Sequence, residues 1–264
     1  MTYIPCLFGI LNITTDSFSD GGAYLDSEKA LEQARTLHAG GAEIIDIGPA
    51  SSHPDSTPVS AQTEIDRLTT IVPALKALNI PISIDSYQTQ TQRWALQQNV
   101  DWMNDIHGFA DPALYSDLAT SDCRLVVMHA IQSAGAATRT APPAGDIFDH
   151  ICRFFDTRLT ELMKAGIDQT RIVIDPGMGF FLGDTPEPSL TMLARIDELK
   201  KIFGLPVLVS VSRKSFLRAL SGRSVEDSAP VTLAAELWAA AKGVDYIRTH
   251  DPSQLSDALK IKGH

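Results

Sequence analysis

Gly40-Gly41-Ala42-Glu43-Ile44-Ile45-Asp46-Ile47-Gly48 is the stretch in which the fold can be read. Ahead of it, Ser27–Ala39 carries Ala30, Leu31, Ala34 and Leu37 at helical spacing, and the glycine pair ends that helix. Behind the pair, Glu43–Ile47 is a short β-forming run with a carboxylate near its end. Helix, glycine, strand: this unit recurs along the chain. Further strand runs are Cys6–Leu11, Pro81–Ile84, Trp102–Asn104, Leu125–Met128, Ile172–Ile174, Val207–Val211 and Tyr246–Arg248. Helical patterns lie at Ala61–Leu78, Ile147–Ala165, Ser189–Phe203 and Thr232–Lys242, and Gly166, Gly204 and Gly243 repeat the helix-to-strand junction. The strands are short, rich in Val, Ile and Leu, and show little alternation, as expected when both faces are covered. Eight such units in 264 residues lie close to the roughly 250 typical of one (β/α)8 barrel. The expected fold is therefore α/β, a (β/α)8 TIM barrel in a single domain over residues 1–264, with an open doubly wound sheet as second choice.

Composition narrows the function. A net charge of −10 argues against nucleic acid and anionic membranes as partners. No run approaches the roughly 20 apolar residues of a membrane span, and the N-terminus lacks the basic start of an export signal. Cys6, Cys123 and Cys152 are odd in number and scattered, which fits a soluble protein of a reducing cytoplasm. Arg213, Lys214, Arg218, Arg248 and His250 gather in the last quarter, so a small anionic substrate stays open.

The C-terminal ends of barrel strands form the active-site mouth, so the residues there matter most. They are Asn12, Asp46, Asp85, Asn104-Asp105, His129, Asp175, Ser212-Arg213-Lys214 and Arg248-Thr249-His250: polar or charged every time. The loops that follow, Thr14–Asp26, Gly48–Ser60, Ala130–Ala144 and Pro176–Pro188, are longer than connection requires. Asp85 and Asp175 are placed to accept paired N–H groups of a planar amino-heterocycle. Asn104 offers a donor and an acceptor, and Lys214 serves a ring carbonyl or nitrogen. Arg248 and His250 suit anionic oxygens, and Ser212–Lys214 opens a helix whose N–H groups favour an anion. Asn12, with loop residues such as Asp16, could help hold Mg2+ on a polyphosphate. Zinc spacing and a Ser/His/Asp elbow are both missing, which points to positioning and charge stabilisation.

The block Gly9-Ile10-Leu11-Asn12-Ile13-Thr14-Thr15-Asp16-Ser17-Phe18-Ser19-Asp20-Gly21-Gly22 closely resembles the opening signature of the dihydropteroate synthases. Ile45-Asp46-Ile47-Gly48 through Pro54, Ser83-Ile84-Asp85-Ser86, Asn104-Asp105-Ile106, Asp175-Pro176-Gly177-Met178-Gly179-Phe180, Ser212-Arg213-Lys214-Ser215 and Ile247-Arg248-Thr249-His250 follow in that family's order. The resemblance implies condensation of 7,8-dihydro-6-hydroxymethylpterin pyrophosphate with p-aminobenzoate, releasing pyrophosphate. It implies pterin contacts at Asp85, Asn104, Asp175 and Lys214, with Asp85, Asp175 and Lys214 catalytic. Pyrophosphate falls to Asn12, Arg248 and His250, and Mg2+ to Asn12. The p-aminobenzoate side falls to Phe180, Ser212 and the second loop, including Ser51 and Ser52. A homodimer through the later helices is also implied.

Two stretches depart from the family pattern, both on the p-aminobenzoate side. The usual Gly-Glu-Ser-Thr-Arg-Pro-Gly is here Pro49-Ala50-Ser51-Ser52-His53-Pro54-Asp55, so His53 stands for Arg. The usual Lys after Gly-Phe-Gly or Gly-Phe-Ala is absent, and the run reads Gly179-Phe180-Phe181-Leu182-Gly183. These variant strings look like the mobile sulfonamide-resistance branch, with Phe181 as an added wall that clashes with the sulfonyl substituent. Two other readings compete: a methyltetrahydrofolate methyltransferase barrel, and a barrel that binds pterin without turnover. Arg248-Thr249-His250 and the Ser-Arg-Lys-Ser turn argue against the first. Intact Asn12, Lys214, Arg248 and His250 argue against the second.

Overall fold

In the computed structural model, which describes residues 4–14 and 22–262, strand and helix alternate from end to end. The order is β1 (Cys6–Asn12), α1 (Gly22–Ala39), β2 (Ile44–Gly48), α2 (Ala61–Ala77), β3 (Ile82–Asp85), α3 (Thr89–Gln97), β4 (Trp102–Asp105), α4 (Tyr115–Thr120) and β5 (Arg124–Met128). Then come α5 (Ile147–Lys164), β6 (Ile172–Asp175), α6 (Glu187–Ala194), α7 (Ile196–Phe203), β7 (Leu208–Val209), α8 (Ser215–Ser221), α9 (Ala229–Ala241), β8 (Tyr246–Thr249) and α10 (Pro252–Lys262). Among the described residues eight strands pair in parallel in the order β6-β5-β4-β3-β2-β1-β8-β7. A parallel bridge between Ile174 and Val207 joins the two ends, so the sheet closes on itself as the barrel expected from the sequence.

Closure sorts side chains by parity, because successive residues of a strand face opposite sides. Leu7, Ile45, Ile47, Ile82, Ile84, Leu125, Val127, Ile172, Ile174, Val209 and Ile247 face outward and belong to one core with the helices. The opposite parity holds a separate cluster of Phe8, Ile44, Trp102, Val126, Val173 and Leu208, which fills the barrel's lower interior. Phe8, Trp102 and Tyr246 meet there edge to face, with ring centroids 5.2 to 5.6 Å apart. Two residues further along these strands, the same inward parity reads Ile10, Asp46, Asn104, Met128, Asp175, Ser210 and Arg248. The interior thus passes from apolar below to polar above, and the strand ends become a polar floor.

Helices seat where the sequence allows close approach. A Cβ on Gly9 would lie 2.9 Å from the Ala42 Cβ and 3.1 Å from the Leu37 Cβ, so glycine lets α1 settle on β1. Ser60 caps α2 by accepting from the Thr63 N–H, and Asp146 caps α5 through the Phe148 N–H.

Three differences from the sequence expectation have physical causes. The pattern Ser189–Phe203 is two helices, α6 and α7, meeting at Arg195. There the Arg195 side chain ties Asp146 and Glu198 and lies 3.8 Å above the Phe148 ring, so a tertiary contact breaks a continuous local pattern. The run Val207–Val211 narrows to Leu208–Val209, because Ser210–Ser212 turn out of the sheet toward the cleft. Helices α3, α4 and α10 add to the five periodic patterns; the first two are only nine and six residues long, and α3 is largely polar (Thr89-Gln90-Thr91-Gln92-Arg93).

Candidate active site

The barrel's C-terminal mouth holds a cleft of about 300 Å3. Asn12, Ser51, Ser52, Asp85, Phe180, Phe181, Ser212, Lys214, Arg248 and His250 all line it. Residues from six strand-end segments thus converge on one space. Asn104 and Asp175 lie in the floor on β4 and β6, each only 2% exposed. Asp16 lies outside the described residues.

The floor is a charge cluster. Arg248 donates through Nε to Asp46 and through Nη2 to Asp85 at 2.7 Å. Asp46 is fully buried, and its other oxygen has no hydrogen-bond partner within the protein. Asp46, noted from sequence only as a strand end, is therefore the residue that anchors Arg248. The parity argument finds it, since it lies two positions beyond Ile44 on the inward face. Removing one partner from such a buried pair costs about 3–5 kcal/mol, because a charge is left uncompensated. Two of the Arg248 N–H groups, expected to reach anionic oxygens, serve these carboxylates instead.

Burial dominates the protonation of this cluster. It pushes Asp85 upward, against the pull of Arg248. It carries Asp175 to about 6, although the Gly177 N–H and Lys214 favour the carboxylate. It lowers Lys214 to about 8, with Arg248 adding repulsion and Asp175 and Asp85 opposing. Arg248 stays cationic: burial disfavours its charge, but Asp46 and Asp85 outweigh that. His250 falls to about 3 through burial and the nearby Arg213 and Arg248. It is thus a neutral hydrogen-bonding group at physiological pH, not the second cation the sequence suggested. Its Nδ1 lies 2.9 Å from Ser212 Oγ, which also accepts its backbone N–H at 3.2 Å.

Local backbone sets these groups. Asp175 accepts from the Gly177 N–H at 2.8 Å, within a turn that has a positive φ of 74° at Gly177. A Cβ there would sit 2.3 Å from the His129 carbonyl oxygen, so only glycine fits. His129 secures the same turn: its backbone N–H donates to the Asp175 carbonyl, and its Nδ1–H donates to the Pro176 carbonyl at 3.1 Å. Burial holds this imidazole neutral, with a pKa lowered to about 3. Arg213 adopts a φ of 58°, a left-handed conformation unusual for a side-chain-bearing residue, and the turn it makes leads Lys214 to the cleft. Lys214 Nζ then lies 4.8 Å over the Phe181 ring.

Several polar atoms of the floor await a partner. Asn104 Oδ1, Ser83 Oγ, Ser210 Oγ and one Asp46 oxygen are buried without a hydrogen bond inside the protein. A buried unsatisfied polar group costs about 1–3 kcal/mol, so this floor is built for a polar ligand. The opposite wall is different: Pro54, Ala137, Phe180 and Phe181 make it largely apolar. The cleft thus pairs a polar, hydrogen-bonding floor with an apolar, partly aromatic wall.

The fold and this cleft define a (β/α)8 barrel that holds a polar heterocycle at its strand ends. The family model described as pterin binding enzyme matches residues 8–250. The dihydropteroate synthase type-2 of Escherichia coli is 59% identical over 255 residues, covering 97% of this chain and 94% of that one. The type-1 enzyme of Pseudomonas aeruginosa is 50% identical, covering 96% and 91%. Among solved structures, the Xanthomonas albilineans dihydropteroate synthase with 4-aminobenzoic acid superposes with a TM-score of 0.90 at 32% identity, covering 98% of this chain and 92% of that one. The chain belongs to the dihydropteroate synthase family of pterin-binding enzymes.

Proposed function

We propose that this chain joins 7,8-dihydro-6-hydroxymethylpterin pyrophosphate to p-aminobenzoate, and that it does so while rejecting sulfonamides. The observation that carries the pterin half is the floor, where Asn104 Oδ1 is buried without a partner and Lys214 feels the charges of Asp175 and Asp85. A solved relative at 31% identity holds 7,8-dihydropteroate, which contains both halves of the proposed product.

Asp175 and Asp85 accept the N–H groups of the pterin's amino edge, Asn104 pairs with its ring, and Lys214 meets its ring oxygen or nitrogen. The methylene C–O bond breaks, and pyrophosphate departs with the electron pair. The carboxylates stabilise the electron-poor pterin methylene electrostatically. The arylamine lone pair then forms the new C–N bond, and the nitrogen loses a proton. Arg248, held at the floor, and neutral His250 supply N–H groups on the pyrophosphate side.

Asn12 is the residue that would hold Mg2+. It is exposed on the cleft wall, and glycine at 48 leaves space for its Oδ1, which a Cβ would approach to 2.9 Å. When bound, Mg2+ supplies charge neutralisation for the leaving pyrophosphate and needs few protein ligands.

Sulfonamide rejection rests on Phe180 and Phe181, which put two rings where the usual family pattern carries one. Phe181 is buried against Lys214, whereas Phe180 stands partly exposed at the mouth. A cytoplasmic setting is supported by three free cysteines, two of them, Cys6 and Cys123, with thiols pushed by burial up to about 12. Among the described residues no helix is long and apolar enough to cross a membrane. A homodimer is supported by α8 and α9, which pack together and expose Leu220 and Trp238.

The deciding experiment measures pyrophosphate release with Mg2+ and p-aminobenzoate under increasing sulfonamide. Release that requires p-aminobenzoate and persists at high drug supports the whole reading. Release that the drug abolishes removes the insensitivity, and absence of release removes the synthase activity.

A further inference from the structure

The loop of residues 129–146 after β5 has no regular structure, yet it is hydrogen-bonded along both of its sides. On one side the Ala137 N–H donates to the Ser52 carbonyl at 3.1 Å. On the other, the Ile131 N–H donates to the Phe181 carbonyl at 3.0 Å, and the Asp184 N–H donates to the Thr140 carbonyl at 2.9 Å. Gln132 Nε2 adds a bond to the Phe180 carbonyl at 3.0 Å. The loop is therefore a strap between the second loop and the loop after β6.

Arg139 is where the strap grips. Its Nη1 donates to Asp55 Oδ1 at 2.6 Å, and Nη2 donates to the other oxygen of the same carboxylate. This fork-on-carboxylate geometry fixes direction as well as distance. The same guanidinium lies 5.4 Å over the Phe180 ring, whose edge contacts His53 at 6.0 Å between ring centroids. His53, Pro54, Ala137 and Phe180 line the outer cleft; Arg139 and Asp55 stand behind them. One side chain thus bridges the second loop and the strap beside the aromatic wall of the outer cleft.

We propose that Arg139 is a positioning residue that limits the size of the para-substituent the second reactant can carry, by clasping the second loop to the strap across the outer cleft. This rests on p-aminobenzoate being that reactant, and it adds a control of width to the aromatic wall. A carboxylate fits within the closed clasp. A bulkier substituent has to part Arg139 from Asp55. Both side chains are half exposed or more, so the pair contributes little to global stability and is weakened by salt. Loop separation is a low-energy local opening, however, and a modest restraint shifts it substantially.

The test compares KM for p-aminobenzoate with Ki for two inhibitors, 4-aminobenzenesulfonamide and an analogue bearing a heteroaryl ring on the sulfonamide nitrogen. Wild type, Arg139→Ala, Arg139→Lys, Asp55→Asn and the charge swap Asp55→Arg with Arg139→Asp are measured. Arg139→Ala is expected to lower the Ki-to-KM ratio about tenfold for the heteroaryl compound, and much less for the small one. The lysine variant falls between, because an ammonium cannot fork. The swap restores the ratio, and rising salt lowers it in wild type but not in Arg139→Ala. A ratio that stays constant while kcat falls would mean a merely structural role and would overturn the proposal. So would an equal change for both inhibitors. A wild type without p-aminobenzoate-dependent release fails at the step beneath, and withdraws both readings.

Discussion

At the scale of single residues, the cleft works through groups whose protonation burial has moved toward neutrality. Asp175 at about 6 and Lys214 at about 8 leave a window in which the carboxylate is ionised and the ammonium charged. The expected kcat/KM for the pterin pyrophosphate is bell-shaped, rising through about pH 6 to 7 as Asp175 and Asp85 ionise and falling above about pH 8. Asp175→Asn should leave an acid limb set by Asp85 alone, at about 7, and Lys214→Met should remove the alkaline limb; a pH profile of each variant checks this. Stability follows the same shifts. Between the ordinary carboxylate range and about 6 the folded chain holds a proton at Asp175 that the unfolded chain has lost. The contribution of Asp175 to stability therefore falls as pH rises through that window. Between about 8 and 10.5 the unfolded chain keeps the Lys214 proton that the folded chain has lost, so that contribution grows with pH.

At the scale of elements, the strands deliver residues and the turns aim them. The Asp175-Pro176-Gly177 turn shows this best, because three separate contacts hold it: the Gly177 N–H on the Asp175 carboxylate, the His129 N–H on the Asp175 backbone carbonyl and the His129 ring on the Pro176 carbonyl. Gly177→Ala would drive a methyl into the His129 carbonyl and force a side chain into a positive φ. The turn must then shift and the Asp175 carboxylate move with it. The expected result is a loss of about 2 kcal/mol in unfolding free energy. Turnover should fall by roughly a hundredfold, since small displacements of a positioned group weigh heavily on rate. Denaturant melts and steady-state kinetics on one preparation would check both. Turnover close to wild type would show that the turn tolerates the shift. Element boundaries carry the same lesson: Arg195 splits a helix through contacts with Asp146 and Phe148, and a residue 49 positions away in sequence leaves no mark on local periodicity.

At the scale of the whole molecule, a closed ring of strands gathers residues from position 10 to position 250 around one cleft. The outer surface of α8 and α9 remains, where Leu220 and Trp238 are 55% and 41% exposed. In the proposed homodimer, Trp238→Glu is expected to shift the protein toward monomer in sedimentation velocity with little change in far-ultraviolet circular dichroism. An unchanged sedimentation coefficient would remove these helices as the interface. The sequence alone determined the barrel, because eight short apolar runs separated by glycine-ended helices have few other ways to bury themselves. It also located the polar strand ends, because a motif is local and the C-terminal end of each strand follows from chain direction. Only the tertiary structure decided the partners. Arg248 and Asp46 are 202 positions apart, and their pairing exists because β1, β2 and β8 lie side by side in the closed sheet. The same holds for Arg139 on Asp55, and for a histidine made neutral by burial among cations. Pairing and desolvation depend on distance in space, which closure creates and local sequence does not encode.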